Sequence, residues 1–194
     1  MYISHTFYRL LIVISFLFIS VSLLAEPTLE EVVVSARKVD ESVQDVPIAM
    51  SVFTASDIDD AGIERPEDFI ALTPNVVMAN TVNVGDTLVT IRGLTSTRDA
   101  ESNFAFVVDG VLQTNPNAFN RELLDIAQIE VLKGPQGALY GRNATSGAIL
   151  ITTKAPSEES ESTAVVGMGI NNSSKLQYVN SGMMGDNVYT RFSV

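Results

Sequence analysis

The sequence predicts an α+β domain, a small mixed β-sheet with short helices, followed by the first strands of an incomplete transmembrane β-barrel. Three observations carry this. Between Pro47 and Pro156, β-prone runs interleave with short helical segments that have recognisable starts and stops. An acidic, polar stretch, "APSEESES", then interrupts the chain as a linker does. Beyond it the pattern becomes strands with one apolar and one polar or small face.

In chain order, residues 1–25 hold one Arg and an apolar run before the sequence turns acidic, the profile of a secretory signal peptide cut after Ala25. The apolar run is about 15 residues, where spanning a bilayer takes roughly 20. Residues 26–46 contain a single short β-prone run, Val32-Val33-Val34, between polar flanks. Two readings stay open: a flexible leader able to add a strand to another protein's sheet edge, or the first strand of the domain. Residues 48–53 read as a strand, with Ser56 as the N-cap of a helix that has acidic residues in its first turn. In "RPEDFIALTPNV", Pro66 takes a first helical position, Phe69, Ile70 and Leu72 the buried side, and Pro74 the stop. "DTLVTIRG" is a strand ending at Arg92-Gly93, and "NFAFVVDGVLQ" a hairpin around a type I′ turn at Asp109-Gly110. "LLDIAQIEVLKG" runs from a short helical turn into a strand with Ile129 and Val131 on one face, and "GAILITTK" closes the set.

The domains expected are therefore a signal peptide (1–25), a flexible segment (26–46), the α+β domain (47–156), a linker (157–162) and barrel strands (163–194). In the last, Ala164, Val166, Met168 and Ile170 share one face, while Val188, Thr190, Phe192 and Val194 oppose Tyr189, Arg191 and Ser193. "KLQYVNSGMMGD" is a weaker third strand. Three strands cannot close a barrel, whose smallest single-chain forms need about eight, so the chain reads as part of a longer protein.

Composition excludes several chemistries. There is no cysteine, and the one histidine, His5, lies within the signal peptide, so neither supplies a metal ligand or an imidazole base to the exported chain. Beyond residue 25 the chain carries 11 basic against 23 acidic residues, the wrong sign for a nucleic-acid partner. The glycines of "KGPQGALYGRNATSG" do not fall at phosphate-loop spacing, and "GMGINN" breaks the dinucleotide pattern. No nucleophile and base are paired by spacing; no catalytic residue, metal site or cofactor is expected.

Residues 30–156 resemble the N-terminal plug of TonB-dependent outer-membrane receptors. The likeness rests on an acidic and valine-rich patch (Glu30, Glu31, Val32, Val33, Val34, Ser35, Ala36) similar to the TonB box, with Ser for the usual Thr; on "VPIAMSVFTASDI", "IRG" and "VVDGV"; and on "IEVLKGPQGALYGRNATSGAILITTKAP", where Lys133 replaces a frequent Arg and Gly147-Ala148 a frequent Gly-Gly. The resemblance implies a gate inside a barrel for the energised uptake of a scarce nutrient such as an iron–siderophore complex. Its partners would be the periplasmic face of TonB at residues 30–36, a small-molecule or metal-chelate substrate, and outer-membrane lipid around the barrel. It also implies that Arg92 and Lys133 anchor the plug to acidic groups of the barrel wall. Substrate would meet loops around residues 95–103 and 113–120, including Thr95, Arg98, Asn103, Asn115 and Asn117. Gly93, Gly110, Gly134, Gly137, Gly141 and Gly147 would let the backbone thread between sheet and wall. The alternative is a stand-alone periplasmic binding module that shares the plug fold without a barrel.

Overall fold

The computed structural model describes residues 31–80, 87–96, 101–115, 118–169, 174–185 and 187–194; the signal-peptide reading, Glu30, Arg98, Asn117 and Ile170 lie outside them. A short hairpin comes first, β1 (Val33–Val34) paired antiparallel with β2 (Glu41–Ser42). The central sheet takes β3 (Met50–Thr54), β9 (Ile126–Lys133), β10 (Gly147–Thr153), β7 (Phe104–Val108) and β8 (Val111–Gln113), in that spatial order. It is mixed, because β7 and β10 run parallel and every other neighbouring pair is antiparallel. A second sheet joins β4 (Val76–Asn80), β5 (Thr87–Ile91) and β6 (Leu94–Thr95). A third joins β11 (Glu161–Met168), β12 (Ser174–Met183) and β13 (Tyr189–Ser193).

Register fixes the two faces of the central sheet. Phe53, Ile129, Ile149 and Phe106 fall on one face, and Met50, Leu132, Ala148 and Ala105 on the other. The first face is covered by helices α1 (Ala55–Ala61) and α2 (Pro66–Ala71), by Val89 and Ile91 of β5 and by Phe119. Phe119 sits edge-on to Phe104 and Phe106, with centroids 5.2 and 5.1 Å away, and contacts Phe69 at 6.3 Å. Such edge-to-face rings add to burial through their quadrupoles.

The helix starts follow local hydrogen bonding. The expected N-cap, Ser56, instead lies inside the first turn of α1, although it too stands three residues before an Asp. The structure selects Thr54: β3 pairing with β9 continues through Thr54, which accepts from the Asp57 amide while the Asp57 carboxylate accepts from the Thr54 amide at 2.9 Å. Asp57 is accordingly held below its ordinary carboxylate value, first by the Thr54 hydroxyl and then by the Thr54 amide. Pro66 opens α2 as expected, but α2 stops at Ala71, so Leu72 leaves the buried face and is exposed. The helical turn expected before β9 is absent: the Leu123 amide is claimed by the Glu64 carbonyl, and Ile126 already pairs with Thr153. The hairpin turn at Asp109-Gly110 has φ of 46° and 78°, as type I′ requires, and Asp109 further accepts from the Thr153 amide at 2.8 Å.

The third sheet obeys the alternation read from the sequence. Ala164, Val166, Met168, Leu176, Tyr178 and Phe192 share its outward side, with Met168 91% and Leu176 74% exposed. It begins at Glu161, two residues before the expected boundary, and residues 175–183 of "KLQYVNSGMMGD", the weaker candidate, lie in its longest strand, ten residues. Among the described residues no helix is long and apolar enough to cross a membrane, a finding that does not bear on spanning by strands.

Candidate functional site

The second face of the central sheet is covered differently from the first. Its buried residues are small or aliphatic, Ala105, Val107, Leu132, Ala148 and Leu150, except Glu130, which lies in the middle and is only 2% exposed. Over this face runs the segment that the sequence left as a flexible leader. Val34 and Ala36 are buried at 1% and 0% exposure, while Glu31 and Val33 are exposed and Val32 and Ser35 half-buried. The segment is docked because Ala36 is small enough to sit against Ala105, Ala144 and Ala148, and because its polar backbone finds partners there.

Those partners are three side chains. The Ser35 amide donates to Glu130 Oε1 at 3.1 Å, and the Ser35 hydroxyl donates to the same oxygen at 3.4 Å. Gln128, two residues before Glu130 on the same face of β9, donates its amide nitrogen to the Val33 carbonyl at 3.0 Å and to Glu130 Oε1 at 3.1 Å. The Tyr140 hydroxyl, at the end of the short helix α3 (Gly137–Tyr140), donates to the Ala36 carbonyl at 2.7 Å. Glu130 Oε2 is buried with no hydrogen-bond partner. Burial pushes the Glu130 carboxyl up, against the lowering by the Ser35 amide and hydroxyl, Gln128 and the Ala36 amide. Tyr140 is pushed up to about 12 by burial and then by the Glu130 charge, so it stays a donor. A groove of 530 Å³ continues beside the docked segment, between Lys38, Leu112 and Tyr140.

The two candidate anchors form a cationic corner. Arg92 and Gly93 have φ of 50° and 81°, so "IRG" ends β5 in a tight turn that returns the chain as β6 and leaves Arg92 exposed. Lys133, at the end of β9, donates to Ser51 Oγ at 3.0 Å and to the Pro74 carbonyl at 3.4 Å. Burial and then the charge of Arg92 push the Lys133 amine down. Neither residue forms an ion pair among the described residues.

Of the candidate substrate-facing residues, Thr95 is exposed and its hydroxyl lies 2.9 Å from that of Thr90, and Asn115 is exposed. Asn103 is half-buried and its side-chain oxygen accepts from Ser96 at 2.8 Å and Ser146 at 3.1 Å, which makes it a tie between loops. The loop after Gln113 is pinned at its far end by Phe119 in the core. The candidate packing glycines also have surroundings within the plug itself. Gly93, Gly110, Gly134 and Gly141 have positive φ, and a Cβ on Gly137 would meet nothing. Only Gly147 lacks room in the backbone itself: a Cβ there would collide with the Leu132 carbonyl oxygen of the neighbouring strand. Among the described residues no cluster of His, Cys, Asp or Glu has the geometry to hold a metal ion.

The family model described as the TonB-dependent receptor plug domain matches residues 42–148. The chain belongs to this family. The plug is 31% identical over 132 residues to the pesticin receptor of Yersinia enterocolitica, covering 68% of this chain and 19% of that receptor. It is 28% identical over 171 residues to the vitamin B12 transporter BtuB of Vibrio vulnificus strain YJ016, covering 85% of this chain and 27% of the transporter. Its structure matches the ferric yersiniabactin uptake receptor FyuA of Yersinia pestis with a TM-score of 0.68 at 28% identity, over 73% of this chain and 23% of that one. The chain thus spans about a fifth to a quarter of the length of these relatives. They are receptors and transporters, not enzymes, and the family places the plug at the outer membrane.

Where the plug meets the third sheet, the ion pairs run opposite in polarity to the anchors expected from sequence. Arg191 of β13 grips Asp125 of the plug with two parallel hydrogen bonds, one of 2.7 Å, and lies 3.7 Å from Glu161. Lys175 of β12 reaches Glu64 at 2.7 Å, and the Ser157 amide donates to Ser181 Oγ at 2.7 Å. These contacts border a cavity of 390 Å³ lined on the plug side by Ile58, Ile63 and Leu123. The bidentate pair is the firmest of them, since a planar guanidinium matches a carboxylate in geometry as well as charge. Sequence reasoning missed Gln128, Glu130 and Tyr140 and the partner of Arg191; for the first three the available signal was a Glu between Ile129 and Val131 in β9.

Proposed function

We propose that this chain is the gate and the opening barrel strands of an energised outer-membrane importer whose cargo is a scarce nutrient bound as a chelate, such as an iron–siderophore complex. The observation that carries the reading is the continuity of a plug with a sheet that turns its polar side toward the plug and an apolar band outward. A free-standing periplasmic module gains nothing from such a band. The siderophore class is favoured by one of the relatives, the ferric yersiniabactin uptake receptor FyuA.

In this reading residues 30–36 are the segment that TonB takes, with the β-prone Val32, Val33 and Val34 adding to a sheet edge of TonB. Arg92 and Lys133 meet acidic groups of the barrel wall beyond the present chain; their juxtaposition without a carboxylate among the described residues supports this. Thr95 and Asn115 face the substrate, while Asn103 supports the loop. The test is deletion of residues 30–36 from the full-length receptor. Energy-dependent uptake of ferric chelates should be lost while chelate binding at the cell surface persists; uptake at the undeleted rate would overturn the proposal.

A further inference from the structure

The docked segment raises the question of what holds it. Its apolar contribution comes from two buried side chains, Val34 and Ala36, while Val33 is exposed. The polar contribution is concentrated: three donors converge on a single oxygen of Glu130, and Gln128 and Tyr140 occupy the carbonyls on either side, those of Val33 and Ala36. A carboxylate enclosed in an apolar sheet face is costly unless hydrogen-bonded, and among the described residues the backbone amide that donates to this one, that of Ser35, comes from the segment itself. The two therefore depend on each other. Bonding is also incomplete, since Oε2 is buried without a partner. An arrangement with one oxygen satisfied and one not is held closed by a margin that an added pull or a competing strand can exceed.

We infer that Glu130, flanked by Gln128 and Tyr140, is the positioning residue of a latch that keeps residues 33–36 on the plug and so sets how much of the receptor offers this segment to TonB. The inference rests on the reading of residues 30–36 as the TonB-binding segment. Docked, Val34 is buried and the Val33 and Ala36 carbonyls are occupied, so the segment cannot also pair with another protein's sheet edge. Apparent affinity for TonB is then reduced by the fraction of receptor in which the latch is open.

The test uses the full-length receptor carrying Val34→Cys, a site free of background in residues 1–194, which contain no cysteine. In this background Glu130→Leu fills the same space without acceptors. Thiol labelling at position 34 is expected to accelerate about tenfold, the effect of losing hydrogen bonds to a charged group, and the Kd for the purified periplasmic domain of TonB to fall by a similar factor. Glu130→Gln, which keeps one acceptor oxygen, should restore most of the protection, as a merely space-filling role would not require. Tyr140→Phe, which removes only the hydroxyl, should accelerate labelling to a smaller extent and guards against a folding defect in Glu130→Leu. Labelling rates unchanged in both Glu130→Leu and Tyr140→Phe would overturn the latch, as would faster labelling with an unchanged Kd for TonB. Failure of the underlying reading looks different: TonB would then bind a receptor lacking residues 30–36 as well as the intact one.

Discussion

The two faces of the central sheet are five strands seen from opposite sides, yet they are closed by different means. The first is sealed by large side chains, Phe69, Phe104, Phe106 and Phe119, with helices over them. The second is sealed by alanines, a buried carboxylate and a short extended segment. Burial of an aromatic ring is worth several times the burial of a methyl group, and it has no directional requirement. Hydrogen bonds to Glu130 fix where the segment lies but add little net stability, because water competes for the same groups. One face is therefore built to stay shut and the other to open locally without disturbing it.

The largest effect should come from the first face. Phe119→Ala removes the ring at the centre of the aromatic cluster and should destabilise the plug by roughly 3–5 kcal/mol, read as an earlier urea midpoint for proteolysis of the plug within the full-length receptor. Gly147→Ala tests whether that face has slack. Its new Cβ would strike the Leu132 carbonyl and lie 3.1 Å from Ile91 Cδ1, so a loss of roughly 1–3 kcal/mol in the same measurement is expected. On the second face Tyr140→Phe removes one neutral hydrogen bond and should cost about 1 kcal/mol of docking, seen as greater mobility of a spin label at position 33 and no change in the urea midpoint.

The smallest effect expected is on pH. Undocking exposes Glu130 and returns its carboxyl toward 4.5, below its raised value in the docked state. Docking therefore takes up a proton: it is strongest below pH 4.5 and weakens as pH rises through the docked value. Tyr140, with its value of about 12, keeps its charge state across this window. The spin label at position 33 should be less mobile at pH 5 than at pH 7.5, and Glu130→Gln should flatten the difference.

Much of the first face was legible in the sequence, because local patterns specify it. Alternation gave β9 its buried Ile129 and Val131, the apolar run "GAILITTK" marked β10 as a strand, and Asp109-Gly110 announced its own turn. The same positive-φ geometry at Arg92-Gly93 went unread, since an Arg is an uncommon residue there. The second face was legible only as a valine-rich patch with polar flanks. Its closure depends on Ser35 meeting Glu130 across 95 residues, and no spacing rule reaches that far. Arg191 was visible on the polar side of its strand, but its partner Asp125, 66 residues earlier, was not.

Amide hydrogen exchange on the full-length receptor tests the contrast between the faces most directly. Local opening should let Ser35 and Ala36 exchange at least about a hundredfold faster than Ile149 and Leu150, whose release requires the plug to unfold. Equal, slow exchange at both places would mean that the segment is as fixed as the core, and would contradict the account.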